Sequence, residues 1–500
     1  MNAALKTAMK SSTRSLWLAL LFTVSLFTTE GTIIVYPKML ESRSEDVNKV
    51  LKISDDITLN LRKSSVFPKE FLIHTTQDGQ PAAYHMLGEE MEKNLYEDIG
   101  QMAAVHVSEE DGVKVEGVLG HTLRIKPLEG SERSLSGEIP HELYHIPDPM
   151  SELATDDYSI PNISATERVV ESRTNWYTSP RLPLLIKPEV HVVVDYTICK
   201  VLKFIAKKIA MYVAIMTASA NLRYRSMIQP RVQLLLVGVT VTNTPEEEPY
   251  MAYVPGYRAT NNILQQDTRV NFRNHVMHKT YFAKADIVLL LSGLNFSQWE
   301  GGVLETWVGG SAYLAGVCTT YKVTVAQDTP GTYFAVHVYA HELAHSLGCQ
   351  HDGEGADSWV YGNIGSKDCD WNDGYILSYK YHQYNMFRFS RCCMREIMNM
   401  YNRPEFQCLI EINSLNTGIY SSKLPGTVMG RQKYCKIMNG AFSHVEVDRS
   451  YRGLECVLKC LLGRNGESKL LYALDGAACD KGKVCVVGNC TSKADLKKLE

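Results

Sequence analysis

The chain has 500 residues, a formal net charge of -3 and 45% hydrophobic residues. That size and composition suit roughly two to four folded domains, not a disordered or fibrous chain. Near-neutral charge gives no reason to expect nucleic acid or an acidic membrane surface as partner.

Lys6, Lys10 and Arg14 precede the apolar run from Leu16 to Phe27. This is the layout of a secretory signal peptide, placed at residues 1–30. The run is short for a membrane span, and a short anchor is the competing reading. No later stretch reads as a membrane span, so a secreted, extracellular chain is expected. Residues 31–184 contain no cysteine. Short strand patterns at 113–118 and 122–125 alternate with turns, which predicts a mainly β segment. Residues 131–162 are rich in Pro, Ser and Asp and read as loop. Within them, His141-Glu142-Leu143-Tyr144-His145 spells H-E-x-x-H. Pro140 precedes it and Pro147 and Pro149 follow. A helix is therefore disfavoured, and an extended segment without metal is expected.

A hydrophobic strand follows at 190–195, then a helix pattern from Tyr196 to about Asn221. Further buried strands are expected at 232–241 and 286–291. This alternation predicts an α/β layer architecture. A helix over about 333–347 carries the most informative stretch, His341-Glu342-Leu343-Ala344-His345-Ser346-Leu347-Gly348-Cys349-Gln350-His351-Asp352. It reads H-E-x-x-H-x-x-G-x-x-H-D. Histidines four apart on a helix share one face and can grip one ion. Glu342 stands beside them, able to reach a water without being a ligand. Gly348 can take the left-handed conformation that ends a helix, and the turn brings His351 round. Three imidazoles leave a fourth zinc position open, the mark of a catalytic site. A helix with structural histidines is the alternative.

None of the thirteen cysteines lies before Cys199, and six crowd between 435 and 490. Downstream of a signal peptide this distribution reads as disulfides. The seven from Cys199 to Cys408 leave one over, and Cys199 is expected to be free or buried. Asn162, Asn295 and Asn489 begin N-x-S/T sequons for glycans. Residues 413–433 read as a linker and 434–500 as a small cysteine-rich domain.

At these motifs the chain resembles the adamalysin (reprolysin) branch of the metzincins. The likeness is strongest to the secreted salivary metalloproteases of ticks and to snake-venom and ADAM-type enzymes. It covers about residues 110–410. Gly309-Gly310-Ser311-Ala312-Tyr313-Leu314-Ala315-Gly316-Val317-Cys318 resembles the family's substrate-facing edge strand and its cysteine. Gln327-Asp328 precedes the zinc helix as in the family, and Asp352 marks this branch. Val115-Glu116-Gly117-Val118 through Leu123-Arg124-Ile125-Lys126-Pro127 is similar to the propeptide core. The resemblance implies an α/β metzincin catalytic domain at 185–412, a mixed twisted sheet with a zinc helix. A mainly β propeptide at 31–184 precedes it and the disulfide-rich domain follows. It implies zinc on His341, His345 and His351, with Glu342 as general base. It implies a Cys318–Cys408 disulfide, and pairing of Cys349 and Cys369 with Cys392 and Cys393 in an order left open. Structural calcium at Glu189, Asp286 and Glu411 is also implied, with surface carboxylates at strand ends as the other reading.

Two departures stand out. Leu377 occupies the place of the family's turn methionine, and the apolar volume is kept. The propeptide has no cysteine to cap the zinc, so latency cannot use a thiolate. No R-x-K/R-R convertase site lies near Arg181. The expected activity is zinc-dependent endopeptidase action on extracellular proteins such as matrix or haemostatic proteins, from a secreted zymogen. The rival reading is an inactive protease-like module that binds matrix or receptor through its tail. His337 is expected to be a core histidine and Tyr379 a packing residue. No motif bears on oligomeric state.

Overall fold

The computed structural model describes residues 32–40, 49–77, 79–148, 158–160, 185–256, 261–306, 308–360, 362–380, 385–415, 426, 429–439, 442–453, 455–463, 466–474, 476–486 and 489–492. The signal peptide, Asn162, the Arg181 region and most of the linker lie outside the described residues.

Among the described residues, twelve strands precede residue 160. They are β1 (Ile33–Val35), β2 (Lys38–Leu40), β3 (Lys49–Lys52), β4 (Thr58–Lys63), β5 (Glu70–Gln77) and β6 (Gln80–Leu87). After a short helix α1 (Gly88–Glu92) come β7 (Leu95–Asp98), β8 (Ala103–Ser108) and β9 (Lys114–Leu119). Then follow β10 (Leu123–Pro127), β11 (His141–His145) and β12 (Tyr158–Ser159). Nine of them form one sheet in the order β1-β11-β10-β9-β8-β7-β4-β3-β2. The expected strands near 113–118 and 122–125 are β9 and β10. The H-E-x-x-H at 141–145 is strand β11, as its flanking prolines require. The segment 131–162 is thus not all loop, since it contributes both β11 and β12.

The second half begins with β13 (Glu189–Val194), α2 (Tyr196–Val201), α3 (Ala206–Tyr224), β14 (Leu235–Val241), β15 (Asn262–Leu264) and α4 (Gln265–Met277). Next come β16 (Ile287–Ser292), β17 (Asn295–Glu300), β18 (Val303–Thr306), β19 (Gly310–Tyr313), β20 (Val323–Gln327), α5 (Val336–Ser346) and α6 (Arg391–Tyr401). The central sheet runs β12-β19-β20-β16-β13-β14-β5-β6. Its core strands β20, β16, β13, β14 and β5 are parallel. β19 is antiparallel to β20. Both faces are covered, which explains the uninterrupted apolar strands in the sequence. Val190, Val192 and Val194 enter the core shared with α3 and α5. Val193, Val288 and Leu290 face the opposite way, toward Phe272 of α4.

The single helix expected from Tyr196 to about Asn221 is two. Lys203 (φ 59°) and Phe204 (φ 55°) are consecutive left-handed residues, a turn that no α-helix continues through. The helix that carries His341 and His345 also starts later than position 333, because Tyr333 has φ 56°.

The N-terminal segment is not a separate body. β5 pairs parallel with β14, so its hairpin with β6 extends the central sheet. Val66, Phe67, Phe71, Ile73, Met86 and Leu95 share one continuous core with Val192, Leu289 and Leu343. Among the described residues the tail has helix α7 (Arg431–Met438) and strands β21 (Val445–Val447), β22 (Val457–Leu462), β23 (Glu467–Tyr472), β24 (Ala478–Asp480), β25 (Lys483–Val486) and β26 (Asn489–Ser492). Its core takes in Ala83 of β6, so the hairpin lies between the sheet and the tail. Disulfides join Cys318–Cys408, Cys349–Cys393, Cys369–Cys392, Cys435–Cys460, Cys456–Cys485 and Cys479–Cys490. The order left open is thereby settled, and Cys199 is buried and free. Among the described residues no helix is long and apolar enough to cross a membrane.

Candidate metal centre

α5 packs against α3 and the central sheet, and all eleven of its residues are buried. Its four-residue spacing sets His341 and His345 side by side, with their Nε2 atoms 2.9 Å apart. The helix ends at Ser346, and Gly348 turns the chain with φ 98°. His351 then joins the pair, and the ligand atoms of all three lie within 4.8 Å of one another.

Each ring is held from behind. His341 Nδ1 lies 2.8 Å from the Ile376 carbonyl and His345 Nδ1 2.7 Å from the Cys349 carbonyl. His351 Nδ1 lies 3.2 Å from the Glu354 carboxylate. Those oxygens only accept, so each Nδ1 carries the proton and each Nε2 presents a lone pair. Two lone pairs facing each other at 2.9 Å repel unless a cation sits between them. Three buried imidazole nitrogens with no added carboxylate form a donor set that fits zinc.

Glu342 is 1% exposed and lies against Gly310 of β19. A Cβ at position 310 would stand 2.7 Å from Glu342 Cγ and Oε1, so a larger residue there would force this carboxylate to shift. Beneath the histidines, Leu377 is fully buried and its carbonyl accepts the Asp352 N–H at 3.0 Å. The apolar volume of the turn is therefore filled. Asp352 accepts from Ser390 Oγ at 2.6 Å, and Ser390 caps α6. Burial pushes the Asp352 carboxyl up to about 7, against the Ser390 hydrogen bond. Asp352 thus ties the third histidine's segment to α6. His337 is buried in the core and stands outside the three-histidine group. Tyr379 packs its ring 5.7 Å from His341 and 5.4 Å from His351.

Gly348 offers a direct check on how the turn places His351. A Cβ there would sit 2.8 Å from Met400 Cγ, in addition to the left-handed backbone. Gly348→Ala should cost about 1–3 kcal/mol of stability and weaken zinc retention, read by thermal melts and a competing chelator. A variant with wild-type melting and metal content would show that the turn tolerates other geometries.

The acidic trio behaves differently. Glu189 is fully buried, and its two carboxylate oxygens accept the Asn413 and Ser414 N–H groups at 2.9 and 2.7 Å. Its own N–H donates to Asp286 at 2.8 Å. Burial pushes the Asp286 carboxyl up to about 8, and the Glu189 charge adds to the rise. Glu411 is exposed. Among the described residues these three do not gather into a ligand cluster as the histidines do. Glu189 instead fastens the Asn413–Leu415 turn to the sheet.

Three residues at the site carry no motif. They are Tyr158, Glu354 and Arg269. Their roles depend on strand register and on long-range packing, which no local spacing encodes.

Residues 187–390 match the family model Reprolysin_5, Metallo-peptidase family M12. This region is a reprolysin-type M12 metallopeptidase domain. The metallopeptidase is 26% identical over 387 residues to venom metalloproteinase BumaMPs1 of Olivierus martensii, covering 76% of this chain and 92% of that one. It is 26% identical over 405 residues to venom metalloproteinase antarease TserMP_A of Tityus serrulatus, covering 78% and 96%. It is 24% identical over 324 residues to a Bombyx mori protein named "A disintegrin and metalloproteinase with thrombospondin motifs like", covering 62% of this chain and 45% of that one. The activity class is that of a zinc metalloendopeptidase.

Proposed function

We propose that this chain is a secreted endopeptidase whose zinc is held by His341, His345 and His351 and whose general base is Glu342. The observation that carries this reading is the convergence of the three Nε2 atoms, each fixed by an acceptor on its Nδ1. When bound, zinc supplies Lewis acidity, lowering the pKa of a water from 15.7 to about 7 and drawing charge from a carbonyl oxygen. Glu342 takes the proton from the attacking water and hands it to the leaving amine. β19 offers backbone groups to an extended peptide by strand addition. Arg269 of α4 donates to the Ala312 carbonyl and holds that strand in place.

In this reading residues 1–30 direct secretion, 31–184 form the prosegment, 185–412 the catalytic domain, 413–433 a linker and 434–500 the cysteine-rich domain. The venom relatives and the disulfides support an extracellular setting and extracellular protein substrates, matrix or haemostatic proteins among them.

Gelatin and fibrinogen digestion by the full chain, nicked within residues 161–184, tests the assignment. A chelator should abolish cleavage and lower the melting temperature, and added zinc should restore both. Cleavage that survives complete metal removal would end the zinc reading.

A further inference from the structure

The free edge of β19 is occupied by the chain's own strand β12. It adds in parallel, with Tyr158 opposite Ala312 and Ser159 opposite Tyr313. The Leu314 N–H donates to the Ser159 carbonyl at 3.1 Å. The Tyr158 ring lies 4.6 Å from the His345 ring and 5.1 Å from that of His351. Its hydroxyl donates to Glu354, the carboxylate that also faces His351 Nδ1. Ser159 Oγ accepts from the Arg269 guanidinium, which at the same time donates to the Ala312 carbonyl. That guanidinium lies 4.1 Å from the Tyr313 ring centroid. Two residues are thus fastened on three sides, by a β-ladder, by a carboxylate behind the metal centre and by an arginine beneath the strand.

A peptide substrate needs what β12 now uses. It must hydrogen-bond along β19, and it must bring a carbonyl next to the three Nε2 atoms. We propose that Tyr158 and Ser159 are a built-in occupant of the substrate edge, with the Tyr158 phenol covering the histidine triad. This rests on the reading that the triad is the catalytic zinc centre. A tethered occupant competes at an effective concentration on the order of millimolar, so a weak contact suffices to hold the cleft closed. It also accounts for a prosegment without cysteine. The covering group is an aromatic ring anchored through its hydroxyl, and no thiolate is required.

The test uses the full, zinc-loaded chain as wild type, Tyr158→Phe and Tyr158→Ala. Two readouts do not depend on catalysis, namely zinc transfer to a chromophoric chelator and hydrogen exchange at the Leu314 amide. Both should speed up about tenfold or more in Tyr158→Ala, and less in Tyr158→Phe, which keeps the ring and loses only the bond to Glu354. Peptidase activity of the un-nicked chain should rise in the same order. Unchanged zinc transfer and unchanged Leu314 exchange in Tyr158→Ala would overturn the proposal. Faster exchange and zinc transfer with no activity, before or after nicking, would leave the occupant in place and sink the catalytic reading instead.

Discussion

Replacing Glu342 by glutamine should lower peptide hydrolysis by about a hundred- to ten-thousand-fold, while bound zinc should stay at the wild-type level. The two halves of this result have separate causes. Glu342 is not among the three residues that converge on the metal position, so its loss should not release the ion. It is 1% exposed and pressed against Gly310 of β19, the strand proposed to receive the substrate. Glutamine keeps the shape and can donate or accept a hydrogen bond, but it cannot take a proton from water. Metal content by mass spectrometry and hydrolysis by the nicked chain read the two halves independently. Wild-type turnover in the variant would remove Glu342 from the mechanism. No turnover in zinc-replete wild type would favour the alternative, a module that binds through its cysteine-rich tail.

The centre was legible in sequence because its parts are local. His341, Glu342 and His345 are fixed by helical periodicity, and Gly348 by the one backbone conformation that brings His351 back. The parallel strands β13, β14 and β16 were legible as apolar runs because both their faces are covered. What surrounds the centre was not legible. Tyr158 lies far along the chain from His345, and only the register of β12 on β19 brings them together. A two-residue strand in a segment rich in Pro and Asp has no period to detect. The breaks at Lys203 and Tyr333 were missed for a related reason. Left-handed lysine, phenylalanine and tyrosine are set by tertiary packing, and they leave none of the marks that glycine leaves. The calcium expectation rested on the family resemblance, and sequence could not show that the Glu189 carboxylate accepts from two backbone amides.

Arg124→Ala should destabilise the chain by about 3–5 kcal/mol. Arg124 is 1% exposed. Its guanidinium donates to the carbonyls of Thr332 at 2.8 Å and Tyr333 at 3.1 Å, and to those of His121 and Leu123 at 3.0 and 2.9 Å. Burial lowers its pKa to about 10, where it remains charged at neutral pH. The Thr332 and Tyr333 carbonyls lie just before α5. Tyr333 stacks on Tyr212 at 4.2 Å and donates its N–H to the Tyr212 hydroxyl at 2.8 Å. That hydroxyl donates to Asp328 at 2.5 Å, and Asp328 accepts the Ala335 N–H at 2.9 Å. One arginine from the N-terminal segment therefore closes a network that fixes where the helix carrying His341 and His345 begins. Alanine would strand those carbonyls and open a cavity. Lysine would restore charge but not the planar fork that reaches four oxygens, so it should recover only part of the loss. Denaturant melts of Arg124→Ala and Arg124→Lys measure both, and a loss under about 1 kcal/mol for alanine would show the network to be dispensable. The same geometry bears on maturation. A chain cut between 161 and 184 can keep its N-terminal fragment attached through Arg124, through β5 on β14 and through the shared core, while freeing Tyr158 from β19. Physical removal of the fragment is a harder step, because it also strips the edge of the central sheet. Activation by nicking and activation by loss of the fragment should then differ in stability, with the nicked complex melting higher.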